Sequence, residues 1–194
     1  MLAMDVTVEE KLDGTNLGIS KNQFGNLQIQ MRGQYLSRPY TGQFSRLNEW
    51  LKFNEEPLRL MLKPGMILFG EWCAARHSTH YSELPDWFIV FDIYDKISRC
   101  FWSTTRRDDF ANLCGLHVAT VIFQGTTTLE KLTHLVLKTK SRYADEPVEG
   151  LVIRSEDFRF LRARAKLVHP NFLQSIDTHW RNRKLERNRC IGGI

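Results

Sequence analysis

Polar and apolar residues alternate from Asp5 to Lys11, with Val6 and Val8 on one side, and the alternation stops at "DGTN" (13–16). A period of two is the signature of a strand, and Asp-Gly marks a turn. "LGIS" (17–20) and "LQIQMR" (27–32) read as the next two strands, joined by the turn "KNQFGN" (21–26). In "GQFSRLNEWLKF" (42–53), Phe44, Leu47, Trp50 and Leu51 recur at helical spacing. "GMILFGEWC" (65–73) and "WFIVFDIYD" (87–95) read as buried strands, the second followed by a short hairpin into "SRCFWS" (98–103). "STTRRDDFANLCGL" (103–116) predicts a helix capped by Ser103 or Thr104. "VATVIF" (118–123) predicts a strand, and "TLEKLTHLVLK" (128–138) an amphipathic helix begun by a threonine cap. "EGLVIRS" (149–155) and "FRFLRARAKLV" (158–168) are the last strands, and "PNFLQSIDTHWRNRK" (170–184) predicts a closing helix with Pro170 in its first turn. Antiparallel strands and helices in no strict alternation predict an α+β fold, read here as a single domain over residues 1–194.

Composition adds limits. The chain is 42% hydrophobic and 25% charged, a globular rather than a disordered balance. It has no apolar run near the roughly 18 residues of a membrane span. Its start, "MLAMDVTVEE", lacks the basic-then-apolar order of a secretory signal. Cys73, Cys100, Cys114 and Cys190 form no CxxC pair and read as reduced thiols of an intracellular protein. The net charge is +5, and nine lysines and arginines against two acids crowd residues 159–189. Such a run is either a solvated face or a contact for phosphates.

The chemistry begins with Lys11. Glu9, Glu10 and Asp13 flank it, and an amine among carboxylates keeps its proton, so on its own the residue reads as a surface lysine. Neutralising a free lysine near pH 7 costs roughly 4.6 kcal/mol, so a nucleophilic lysine needs burial or nearby cations. Elsewhere, Glu71 stands in the apolar run "MILFGEW", where a carboxylate is rare without a partner. Phe91 and Phe88 are both candidates for an aromatic platform, and both also suit a core. Cys73, His77 and His80 in "CAARHSTH" lack a fourth ligand pair, so no zinc site is read there.

Five segments carry polar groups at or beside apolar strands: "KLDGTN" (11–16), "FGEW" (69–72), "DWFIVFDIYD" (86–95), "EGLVIR" (149–154) and "RAKLV" (164–168). In this order they resemble the covalent nucleotidyltransferase superfamily, and within it the ATP-dependent RNA ligases. The resemblance runs from residue 10 to about residue 170. It implies a nucleotidyltransferase domain in which Lys11 attacks the α-phosphate of ATP to become a lysyl-adenylate. It places Glu10 beside the adenine, Asn16 near the substrate nucleotide, Arg32 on ribose and phosphate, and Phe91 stacked on the base. It gives Glu71 and Glu149 to a Mg2+ or Mn2+ site, with Glu71 also near the ribose, and Arg164 and Lys166 to the α-phosphate. The implied partners are RNA ends, a 5′-phosphate and a 3′-hydroxyl. Other members of the superfamily, DNA ligases and mRNA guanylyltransferases, usually append an OB domain, for which the roughly 28 residues after Lys166 are too few. A nucleic-acid-binding module without catalysis is the remaining alternative. Two departures stand out: Arg164 replaces a lysine of the last motif, and only ten residues precede Lys11.

Overall fold

The first alternating stretch is realised, in a computed structural model that describes residues 4–174 and 185–192, as strand β1 (Met4–Lys11). β1 lies inside a four-stranded antiparallel sheet with the order β11 (Leu161–Val168), β10 (Gly150–Glu156), β1, β9 (Val121–Thr127). Its alternation separates two environments. Val6 and Val8 join Val136, Val148 and Leu151 in a small core under helix α3 (Leu129–Lys138). Thr7, Glu9 and Lys11 lie on the opposite face, toward a second sheet.

That sheet has the order β4 (Gln34–Tyr35), β3 (Leu27–Met31), β2 (Thr15–Lys21), β5 (Met66–Trp72), β6 (Phe88–Asp95), β7 (Cys100–Phe101), with β8 (His117–Val118) parallel to β6. Helix α1 (Leu47–Met61) covers it with Leu47, Trp50, Leu51 and Leu58, spaced as one apolar stripe. Trp50 meets Phe88 edge to face, 5.3 Å between ring centres, and its indole N–H donates to Asp86 at 2.9 Å.

Several expectations shift in detail. Residues 42–44 form a separate 3-10 turn before α1, and α1 continues through Pro57 because Leu58 and Leu62 anchor the next turn in the core. "VATVIF" is not one strand: β8 belongs to the second sheet and β9 to the first. Helix α2 (Thr104–Leu113) has Ser103 at its cap position, but the side chain that serves its first amide is Glu156, whose two oxygens each lie 3.1 Å from Thr104 N. Thr128 does cap α3, accepting from Lys131 N at 3.3 Å. The closing helix starts as α4 (Pro170–Gln174), and the rest of its expected span lies outside the described residues. The chain therefore crosses between sheets at two places, residues 12–14 and 119–120, and a cleft opens between the sheets beside the first crossing.

Candidate active site

Lys11 is the last residue of β1, at the point where the chain leaves one sheet for the other. Strand register decides what surrounds it. Lys11 pairs with Gly150, which pairs with Val168. A side chain at Gly150 would put its Cβ 2.5 Å from the Leu167 carbonyl oxygen, so only glycine lets the three strands meet here. Glu149 is thereby brought against Lys11, and Lys11 Nζ donates to Glu149 Oε1. One row along, Glu9, Val152 and Lys166 stand in line, and one row further Thr7, Arg154 and Arg164 do. The facing sheet supplies Asn16 and Glu71, which pair across β2 and β5. Gly14 N donates to Glu71 Oε1 at 3.0 Å.

Gly14 sits so close to β5 that an added Cβ would lie 2.6 Å from the Trp72 carbonyl oxygen. Gly14→Ala must push the turn away from β5, break the bond to Glu71 and move Lys11. Its melting temperature should fall by several degrees, and covalent labelling of the protein by α-labelled ATP should drop at least about tenfold, since small misplacements of reacting groups are costly.

The cleft has a volume of about 650 Å³. Glu10, Lys11, Asn16, Arg32, Glu71, Phe91, Arg164 and Lys166 all line it, and Glu149 joins through its contact with Lys11. Of the two aromatic candidates, Phe88 is fully buried in the core and Phe91 faces the cleft.

The acids flanking Lys11 turn elsewhere. Glu9 is 1% exposed and accepts from Arg107 at 2.6 Å. Glu10 points to the other face of β1, where its carboxylate accepts from Ser141 and from Arg142 N. Asp13 accepts from Ser78 N at 2.7 Å and Thr79 N at 2.9 Å, and its own amide donates to the Tyr81 hydroxyl at 2.8 Å. The acid that meets the amine comes instead from residue 149. Burial pushes Glu149 up to about 7, against the pull of Lys11. Burial likewise pushes Glu71 up to about 8, with Lys11 opposing and Glu149 adding repulsion.

Three arginines complete the wall, two of them given no role by the sequence. Arg107 and Arg154, both fully buried, each donate to the Phe91 carbonyl, at 2.9 and 3.3 Å. Arg154 also binds Asp92 at 2.8 Å, and Arg164 reaches the other oxygen of Asp92 while lying over the Phe101 ring, 5.0 Å from its centre. These ion pairs join the two sheets and hold the backbone of Phe91. Arg164 is therefore divided between the cleft and this network. His77, dismissed as a zinc ligand, also lines the cleft, its Nε2 3.4 Å from both Thr15 Oγ1 and Gln43 Oε1 and its Nδ1 3.9 Å from Asp13. The loop that carries it is fastened by residues 185–192. Asn188 accepts from Tyr81 N at 2.9 Å and donates through Nδ2 to the carbonyls of Cys73 and Ala75.

The residues suit a divalent cation of the magnesium type. Among the described residues, no three histidine, cysteine or acidic side chains gather as a metal cage, but Glu149 Oε2 is buried without a hydrogen-bond partner, and Glu71 stands near it. One or two carboxylates completed by water and phosphate oxygens are what such an ion takes.

A profile described as RNA ligase matches residues 4–168, most of the chain. The chain belongs to the RNA ligase family. No curated protein matches it in sequence. Among solved structures, it is similar to a Naegleria gruberi RNA ligase with PPi, with a TM-score of 0.67 and 18% identity over 89% of this chain and 52% of that one. A mutant of the same RNA ligase with ATP and Mn superposes with a TM-score of 0.68 at 18% identity, over 88% of this chain and 51% of that one. At this identity the likeness is one of fold, and the chain spans about half the length of these relatives. Among the described residues the fold is that of the adenylation domain, with no separate OB barrel.

Proposed function

We propose that this chain is the nucleotidyltransferase domain of an ATP-dependent RNA ligase, and that Lys11 is its nucleophile. The observation that carries the reading is the placement of Lys11 Nζ against Glu149, from 138 residues away, in a cleft that also holds Glu71, Phe91 and Lys166. The Lys11 ammonium gives one proton to Glu149, whose buried carboxyl is tuned close to neutral pH for the task. The nitrogen then attacks the α-phosphorus of ATP. The P–N bond forms as the bond to the β-phosphate oxygen breaks, pyrophosphate leaves, and the second proton of Nζ passes to solvent water. Lys166 and Arg164 offset the charge of the α-phosphate. Phe91 stacks on the adenine, Glu10 forms the wall beside it, Arg32 takes the ribose and phosphate, and Asn16 orients the nucleotide. A bound Mg2+ or Mn2+ supplies Lewis-acid charge to the phosphate oxygens, and Glu149 Oε2 and Glu71 are the residues that would hold it. In the later steps a 5′-phosphate displaces Lys11 from AMP, and a 3′-hydroxyl then displaces AMP to form the phosphodiester.

The test is incubation with α-labelled ATP and magnesium or manganese, followed by a denaturing gel. A labelled band is expected, which pyrophosphate discharges. Its absence from the wild-type protein overturns the reading. Label from GTP and not ATP would transfer the proposal to a guanylyltransferase, and sealing of nicked DNA but not RNA to a DNA ligase.

Phe91→Ala should raise the KM for ATP about 5- to 100-fold, the value of one stacking platform, while Phe91→Trp keeps it within a few-fold. Steady-state adenylylation at varied ATP measures both. Equal loss in the two variants would mean that Phe91 serves packing and not stacking.

A further inference from the structure

Cations continue past the cleft along the sheet edge. From Lys166 and Arg164, β11 leads to Arg162 and then to the turn 157–160 that joins it to β10. This turn is tied down at its backbone. Asp157 accepts from Arg159 N at 2.7 Å and Phe160 N at 2.8 Å. The Phe158 carbonyl accepts from Ser103 Oγ at 3.1 Å, and the Arg159 carbonyl accepts from Ser103 N at 3.0 Å and from Arg106 Nη1 at 3.1 Å. On this fixed frame the Phe158 side chain stands 82% exposed. Beside it, the guanidinium groups of Arg106 and Arg159 lie 5.2 and 5.4 Å from the centre of the Phe160 ring, and Arg106 is 4.0 Å over Trp102. Burial first, and then the Arg159 charge, pull Arg106 below its ordinary value. The acids near this group are Asp157, paired with Arg162, and Asp95, which faces Arg106.

A single exposed phenylalanine is ordinary on a protein surface. This one stands on a turn fastened at its backbone, two residues from the Phe160 ring that carries Arg106 and Arg159, at the end of a cationic path leading out of the cleft. An aromatic face with adjacent guanidiniums is what an unpaired base and its flanking phosphates require, whereas the bases of a duplex are already stacked on each other. We propose that the turn 157–160 with Arg106 is a docking platform for single-stranded RNA as the strand leaves the cleft, Phe158 stacking on an unpaired base and Arg159 and Arg106 contacting phosphates. This rests on the RNA-ligase reading and names the strand that the cleft serves.

Fluorescence anisotropy with a labelled 5′-phosphorylated single-stranded oligoribonucleotide, and with the same strand annealed to its complement, tests it at several salt concentrations. Phe158→Ala should weaken single-strand binding about 5- to 100-fold, and Phe158→Trp should restore it. Arg159→Gln should reduce the slope of log affinity against log salt by about 0.7. Adenylylation of the protein by ATP alone should be unchanged in all three. Wild-type affinity in Phe158→Ala, an equal loss on the duplex, or no binding of either RNA by the wild-type protein would each overturn the platform. These outcomes are separate from failure of the ligase reading, which shows as absence of covalent label without RNA.

Discussion

Lys11→Ala should take up no label from α-labelled ATP, a loss of at least about 1,000-fold, because the proposed reaction forms its P–N bond on this side chain. Lys11→Arg should be equally inactive, since a guanidinium keeps its proton and is a poor nucleophile. Both proteins should stay folded. Lys11 is 21% exposed at the end of a strand, and its partner Glu149, already shifted up to about 7, can take a proton when the amine is gone. A circular dichroism melt within a few degrees of wild type, beside an empty lane on the gel, is the expected pair of results. Labelling of Lys11→Ala at the wild-type rate would place the nucleophile elsewhere. If a protein carrying AMP before the assay can be isolated, wild type should still seal ends without added ATP and Lys11→Ala should not.

The second large effect is on stability. Arg107 and Glu9 are 0% and 1% exposed and joined at 2.6 Å, so removing one leaves a buried charge. Arg107→Ala should cost about 3–5 kcal/mol. For a chain of this size that is a fall in melting temperature of about 6–20 °C. Glu9→Leu with Arg107→Met should recover much of the loss, because an apolar pair of similar volume carries no desolvation penalty. Thermal melts of the two variants decide it. The double variant should still adenylylate more slowly than wild type, since Arg107 also holds the Phe91 carbonyl at 2.9 Å. A double variant as unstable as the single one would show that volume and not charge governs this site.

Much of the fold was legible because burial leaves a periodic or continuous apolar pattern in its main elements. The alternation in β1, the apolar runs of β5 and β6 and the stripe on α1 each follow from where water is excluded, and residues 5–11, 66–72 and 88–95 declare it locally. The break between β8 and β9 was not legible, since "VATVIF" is apolar but for Thr120, a residue as common in strands as between them, and nothing else in it marks a change of sheet. Of the cleft, the residues in the ordered segments could be named in advance. Their partners could not. Glu9 is held by a residue 98 positions away and Glu10 by residues 131 and 132 positions away, so the apparent acidic cluster around Lys11 is one of sequence proximity: strand alternation turns Glu10 to the other face, and Arg107 engages Glu9. Arg154 stood in plain view at the end of "EGLVIR", but arginines are seldom fully buried, and only the facing Asp92 reveals why this one is. His77 carried a signal, its place in a polar stretch after β5, which zinc spacing was the wrong rule to interpret.

The fastening of loop 73–84 by Asn188 bears on how the protein comes to be made. Asn188 reaches its loop partners across separations of 107 to 115 residues, and that loop in turn orders Asp13. Contacts this distant in the chain form late, because closing so large a loop must precede any gain from them. On the ribosome, β1 and Lys11 emerge long before residue 188 does. A nascent chain therefore carries Lys11 well before it owns the finished wall beside it, and the order of synthesis itself delays the moment at which the amine can be put to use.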